Sequence, residues 1–254
     1  MTADITRKMY NSDNGKENPV INLAGYSIHK HNSQSLLRVI NSRLSDGYKT
    51  ILFFANANFV VQCRELRSEL SKDDVIIVND GVGMDMAAKI FQGKQFFENL
   101  NGTDFVPLLL RKPAKPFKVF LYGGKAESVA GAARVIRDFG HSVVGYLDGY
   151  QTDNQRVISK IQNSGADIVL VALGNPLQES WIMHHANTLK PKLFIGVGAL
   201  FDFLSGRIQR APVWVRKMRL EWLYRLCREP QRLGRRYTID VFSFFHMCLS
   251  EAKK

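Results

Sequence analysis

Six short, almost continuous apolar runs constrain the fold more than any other feature of this chain: YKTILFF (48–54), DVIIVN (74–79), FKVFLYG (117–123), HSVVGY (141–146), DIVLVALG (167–174) and KLFIGVG (192–198). Runs of this length without a polar face belong to strands buried on both sides. Between them lie segments with apolar residues at helical spacing: 34–45 (Leu36, Leu37, Ile40, Leu44), 126–139 (Val129, Ala133, Ile136) and 153–164 (Val157, Ile158, Ile161). Strand and helix alternate, which predicts an α/β fold with an open, doubly wound, mostly parallel sheet. Ligands of such sheets sit beyond the carboxyl ends of the strands. Those ends carry Asn79, Asp80 and Gly81, then Gly123 and Gly124, then Gly174 and Asn175, then Gly196 and Gly198.

The pattern changes after Gly206. PVWVRKMRLEWLYRLCREP and RLGRRYTIDVFSFFHMCL read as two aromatic, basic helical stretches separated by Pro230. In the first, Val215, Met218, Trp222 and Leu226 follow 3, 4, 4 spacing with Arg216, Lys217 and Arg219 between them, an amphipathic arrangement that packs on the body or lies on a bilayer. Charge follows the same division, since 207–254 carries +8 of the formal +12. That charge implies an anionic partner: nucleic acid, a phosphate-bearing substrate or an acidic bilayer face. The expected organisation is therefore a polar leader over 1–18, an α/β domain over 19–206 and a basic helical appendage over 207–254. Cys63, Cys227 and Cys248 form no CxxC pair, so neither a disulfide framework nor a zinc ribbon is suggested, and a reducing cytoplasm fits. The N-terminus lacks the apolar stretch of a signal peptide, and no run of about 18 apolar residues suggests a membrane span.

Three turns stand out. NDGVGMDMAA (79–88) leaves a strand and opens a helix, placing Asp80 where a carboxylate either accepts a proton from an attacking hydroxyl or serves only as a turn or capping residue. Gly81 and Gly83 lack the third glycine of a dinucleotide fingerprint. LGNPLQESW (173–181) again passes from strand to helix, and helix N-termini offer free backbone N–H groups to phosphates; Gln178 and Glu179 serve either capping or ligand contact there. The paired glycines of YGGK (122–125) allow close backbone approach to a ligand or simply a tight turn. In GVGALFDFLSGRIQRAP (196–212), Asp202 sits among Phe201, Phe203 and Leu204 and needs a partner, either a nucleobase or Arg207 or Arg210. No DxD motif occurs, His29 and His31 fall in an expected loop, and the adjacent His184 and His185 point about 100° apart, so no metal is expected. Without one, a departing diphosphate must be met by Arg, Lys or backbone N–H groups.

In order and spacing, NDGVGM, LGNPLQESW, GVGALFDFLSGRIQRAP and EWLYRLCREPQRLGRRY resemble the WecG/TagA/CpsF family, glycosyltransferase family 26, over about residues 20–240. The resemblance implies a Rossmann-like fold and an inverting, metal-independent transfer, with no cofactor, from a UDP-sugar donor to a polyprenyl-diphosphate-linked acceptor at the cytoplasmic membrane face. By the same resemblance, Asp80 matches the family's general base, with Asn79 where proline is usual. Gln178 matches the family's PxQE glutamine, with Leu177 replacing a lysine. Asp202 matches the uracil-contacting acid, with Ala199 where glycine is common. Asn56 is kept from a TxN motif whose threonine is Phe54 here. Arg225, Arg232 and Arg235 correspond best to the arginines of an appendage that closes over the site and helps hold an anionic membrane surface.

The expected catalytic set is thus Asp80, Gln178, Arg225, Arg232 and Arg235. The expected substrate contacts are Asn56, Gly81, Gly123, Gly124, Tyr146, Gly174, Glu179 and Asp202. Two rivals compete with this expectation. A nicotinamide-dependent oxidoreductase is suggested by the alternation and the Gly81, Gly83 pair but lacks the third glycine and a clear ribose-binding acid. A nucleic-acid binder is suggested by the basic, aromatic tail but has no recognised motif, so no nucleic-acid partner is expected. Association into a homo-oligomer is compatible with the sequence.

Overall fold

The computed structural model describes residues 20–252 apart from 112, 114 and 152, so the expected 1–18 leader lies outside the described residues. The strands are β1 (Val20–Leu23), β2 (Tyr26–His29), β3 (Thr50–Ala55), β4 (Val75–Asn79), β5 (Lys118–Gly123), β6 (Ser142–Leu147), β7 (Ile168–Ala172) and β8 (Leu193–Gly196). They form one sheet in the order β1-β2-β4-β3-β8-β7-β5-β6. Only the β1/β2 pair is antiparallel. The six apolar runs are β3 to β8. The β1–β2 hairpin was not anticipated, because four-residue strands that turn Asn22 and Ser27 outward leave no long apolar run. Its two-residue turn, Ala24 and Gly25, has positive φ at both positions (50° and 78°), which matches the twist of a tight hairpin. His29, expected in a loop, ends β2 instead, where it pairs with Val78 and its Nδ1 lies 3.2 Å from the Ile77 carbonyl.

The helices are α1 (Ser33–Ser45), α2 (Ala57–Gln62), α3 (Val82–Gln92), α4 (Gly102–Arg111), α5 (Ala126–Asp138), α6 (Asn154–Asn163), α7 (Leu177–His185), α8 (Leu200–Leu204), α9 (Val213–Lys217), α10 (Glu221–Arg228), α11 (Pro230–Tyr237) and α12 (Ile239–Ala252). Local chemistry starts several of them: the side chains of Asn32, Asn56 and Asp153 accept from the backbone N–H groups of Ser35, Phe59 and Arg156. Strand residues alternate between two cores, which is why the strands read as unbroken apolar runs. Ile51, Phe53, Ile77, Val169 and Val171 meet α2, α3, α6, α7 and α12 on one face. Leu52, Phe54, Ile76, Leu121 and Leu170 meet α1, α4, α5 and α8 on the other.

The basic tail departs from the expected pair of amphipathic stretches. Its first stretch is two helices, interrupted at Arg219, whose φ is +61°. Val215 is buried, but Met218 is 61% exposed, so the 3, 4, 4 stripe does not face one surface. Pro230 opens α11 rather than separating two long helices, as its missing N–H permits at a first position. The last helix, α12, closes one sheet face: Phe244 and Cys248 join the body's core, and Phe245 meets Phe91 with ring centroids 6.0 Å apart. A polar tie accompanies this packing, Asn58 Nδ2 donating to the buried Asp240 Oδ2 at 2.7 Å.

Candidate active site

The carboxyl ends of the strands open into a cleft of about 1620 Å³, roofed by α9, α10 and α11. From the body it is lined by Asn56 after β3, Asp80 and Gly81 after β4, Gly124 after β5, Gly174 and Gln178 after β7, and Gly198 and Asp202 after β8. From the tail come Trp222, Arg225, Arg228, Arg232 and Arg236. The volume exceeds the ~300–1,000 Å³ usual for one small ligand, leaving room for two substrates.

Asp80 sits at the centre of this edge. Its backbone N–H donates to the Ala55 carbonyl at 2.7 Å, tying the turn to the neighbouring strand end. Gly81 follows with φ +97°, which disfavours any side chain, and its N–H donates to Asn99 Oδ1 at 2.6 Å. Burial raises the Asp80 carboxyl to about 6, against the attraction of Arg236, a hydrogen bond from Asn56 and the attraction of Arg225, while Glu221 adds to the rise. A carboxylate poised near neutrality is a far better proton acceptor than one at its ordinary value, yet remains ionised at pH 7.5.

Gln178 and Glu179 serve the architecture of the cleft. Gln178 Oε1 accepts from the Gly198 backbone N–H at 3.0 Å, and its Nε2 donates to Glu179 Oε1 at 2.8 Å. The glutamine thus clamps the loop after β8 to the start of α7, neither capping nor fully free for a ligand. Glu179 was expected to touch substrate. It is instead completely buried outside the cleft wall, with Oε2 lacking a hydrogen-bond partner. Burial pushes its carboxyl up to about 7, opposed first by the Gln178 hydrogen bond.

Asp202 faces the cleft with Ser128 Oγ donating to its Oδ1 at 2.6 Å and Arg207 Nη1 at 3.4 Å. Arg210 turns away to pair with Asp104 and Glu221. Ser128 and Arg207 both meet Oδ1, so the long ion pair with Arg207 is present while Asp202 still lines the cavity.

The tail arginines divide. Arg225 lines the cleft with its guanidinium 5.4 Å from the Phe203 ring centroid, and its buried Nε has no partner. A buried donor without an acceptor is costly, and an anionic ligand would satisfy it. Arg232 lines the cleft while pairing with Glu229. Arg235 is exposed and lies outside the lining; Arg236 takes that place. The helix explains it. Leu233 is the residue of α11 that is buried, and Arg236 and Tyr237 follow at i+3 and i+4 on its face, whereas Arg235 at i+2 turns away.

Two further expectations fall outside the cleft. Tyr146 lies on the edge strand β6, in a separate hollow with Arg156 and Lys160. It was placed by its position at a run's end, but the sheet order puts that strand at the margin. Gly123 (φ +122°) is needed for packing, since a Cβ there would come within 2.4 Å of the Ala172 carbonyl oxygen, while Gly124 reaches the cavity. Asn99, Asn101, Ser128 and Arg236 were not anticipated. The single aliphatic residue of PQRLGRRY was the signal for Arg236, and Asn-rich NLNG (99–102) for the first two; nothing marked Ser128. Among the described residues no group of three or more His, Cys, Asp or Glu side chains is placed to hold a metal ion.

Residues 21–254 match the model of the Glycosyl transferase WecG/TagA/CpsF family. An N-acetylglucosaminyldiphosphoundecaprenol N-acetyl-beta-D-mannosaminyltransferase of Bacillus spizizenii is 39% identical over 176 residues, 68% of each chain. A protein of the same name from Bacillus subtilis is 33% identical over 170 residues, 66% of each chain.

Proposed function

Because this chain belongs to the WecG/TagA/CpsF family of glycosyltransferases, we propose that it transfers a sugar from a UDP-sugar to a polyprenyl-diphosphate-linked saccharide, by a single inverting displacement, at the inner face of the plasma membrane. The observation that carries the reading is the pairing of a near-neutral Asp80 at the sheet edge with a roof of arginines across one large cleft. Asp80 removes the proton of an acceptor hydroxyl as its oxygen attacks the anomeric carbon. Arg225 and Arg232 meet the departing diphosphate, and the partnerless Arg225 Nε supplies one donor for it. One displacement inverts the anomeric centre. Asp202 takes the uracil at the end of the cleft beside Ser128.

The names of the two relatives support a lipid-diphosphate-linked acceptor and make N-acetylmannosamine the first sugar to test. No helix among the described residues is long and apolar enough to cross a membrane. The tail instead supports peripheral attachment: Trp214, Met218, Ile239 and Phe242 are exposed among its cations. Each Lys or Arg near an anionic leaflet contributes about 1 kcal/mol. Partners within the protein reduce that sum, because Arg207, Arg210, Arg216, Arg219 and Arg232 each face a carboxylate.

The test is calorimetric titration with UDP in the presence of EDTA, followed by a donor screen with a lipid-diphosphate acceptor. Metal-free UDP binding that weakens about tenfold in Asp202→Ala, the cost of one lost hydrogen bond to a buried ligand, is the expected result. Binding of NADH in place of UDP would return the oxidoreductase reading.

A further inference from the structure

Three structural facts converge on one residue that the sequence passed over. First, α11 is anchored by Leu233, which is 1% exposed, and by Tyr237, whose ring packs on Trp222 at 5.7 Å; Arg236 lies between them on the inward side. Second, α12 starts two residues after α11 ends, and its buried Asp240 accepts from Asn58 at 2.7 Å. Third, Asn58 lies in the first turn of α2, and the N-cap of α2, Asn56, lines the same cleft as Asp80 and Arg236. A single two-turn helix therefore borders the cleft beside Asp80 and ties down the segment that carries a cation into it. A buried aspartate with an amide partner is an expensive contact to maintain for packing alone.

We propose that Arg236 is a positioning residue that keeps Asp80 ionised, and that the Asn58–Asp240 hydrogen bond sets the register at which α11 delivers it. The proposal rests on the reading of Asp80 as general base.

The charged and polar groups facing Asp80 are few. Arg236 comes from α11, Arg225 and Glu221 from α10, and Asn56 from the cap of α2. On the helix that follows Asp80, α3, Asp85 is held by Arg219 at 2.7 Å and by Asn79 at 3.1 Å. Arg236 and Asp80 line one cleft, Arg236 on the face of α11 that the buried Leu233 turns inward, and its positive charge opposes the rise that burial imposes on the carboxyl. A guanidinium suits the task because it stays charged even where burial lowers it, as it does here. The same cation acts on Glu179, so its docking favours both buried carboxylates in their ionised forms.

The titration of Asp80 itself tests this. Carboxyl carbon NMR titration, with the signal assigned by Asp80→Asn, is run on the full chain as wild type, Arg236→Gln, Arg236→Lys and Asn58→Ala. The midpoint should rise by about one pH unit or more in Arg236→Gln, the size expected for loss of a nearby opposite charge. It should rise by less in Asn58→Ala and return partway in Arg236→Lys, which also serves if the glutamine variant does not fold. The acid limb of kcat/KM for sugar transfer should move by the same interval, leaving activity at pH 9 less affected than at pH 6. A midpoint that stays put in Arg236→Gln, or that moves with Arg235→Gln instead, overturns the assignment. A midpoint that moves in a protein that transfers no sugar upholds the electrostatic link and removes the base reading instead.

Discussion

Asp80 and Glu179 are both buried acids with carboxyls raised by desolvation, yet their surroundings give them opposite uses. Asp80 faces a cleft with cations across it; a general base there requires ionisation, so the rate should climb as pH rises through about 6 and level off above. Asp80→Asn should cost about 10²–10⁴-fold in turnover and abolish that limb, with unchanged thermal unfolding as the control. Glu179 faces only protein. Its folded value, about 7, lies above its ordinary 4.5, so between those values the unfolded chain has lost the proton while the folded chain retains it. Stability contributed by this residue therefore falls as pH rises from 4.5 to about 7 and stays low above. Glu179→Gln, which keeps an acceptor for Gln178, should unfold at a higher temperature than wild type at pH 8. The gain should be up to about 3 kcal/mol and should disappear at pH 4.5. A motif places both acids at helix starts, but only packing decides which one meets solvent.

At the scale of elements, α7 and the loop after β8 are joined by Gln178, whose carbonyl receives the Gly198 N–H. Gln178→Ala should loosen that loop and leave the half-buried Gly198 N–H without its protein acceptor, costing about 1 kcal/mol in denaturant unfolding. Loss of UDP affinity should accompany it. The helix α12 is the corresponding tie for the tail. Phe244 is fully buried in the body's core, so Phe244→Ala should cost about 3–5 kcal/mol and free α12 for proteolysis near Thr238 while the sheet keeps its circular dichroism. Equal protection of the tail in the variant would count against this docking. The strands β3, β4, β5, β7 and β8 were legible because they are buried on both faces, the edge strand β6 because its apolar run persists although it is half exposed, and α1, α5 and α6 because their apolar residues recur at helical spacing. The β1–β2 hairpin and the four-helix tail were not, since short elements carry too few residues for a period, and Arg219's positive φ follows from no local pattern.

Across the whole molecule, the site is the space between a sheet edge and a basic roof. The tail's cations serve two surfaces: Arg225, Arg228, Arg232 and Arg236 line the cleft, while exposed Trp214, Met218, Ile239 and Phe242 accompany the rest. Sedimentation with vesicles containing phosphatidylserine should therefore show binding that falls steeply as salt rises, and little binding to vesicles of phosphatidylcholine alone. Trp214→Ala should weaken the attachment without moving UDP affinity. Apolar periodicity and strand-end residues alone determined the α/β class, the edge at which the cleft opens and the place of Asp80, because burial on two faces and the polarity of parallel strands are written into local order. The tertiary structure alone decided that Tyr146 lies at a margin, that Glu179 is buried behind the cleft wall, and that Arg236 rather than Arg235 lines the cleft with Asp80. Those outcomes depend on which strand neighbours which and on which helix face meets the core, and neighbours distant in the chain settle both.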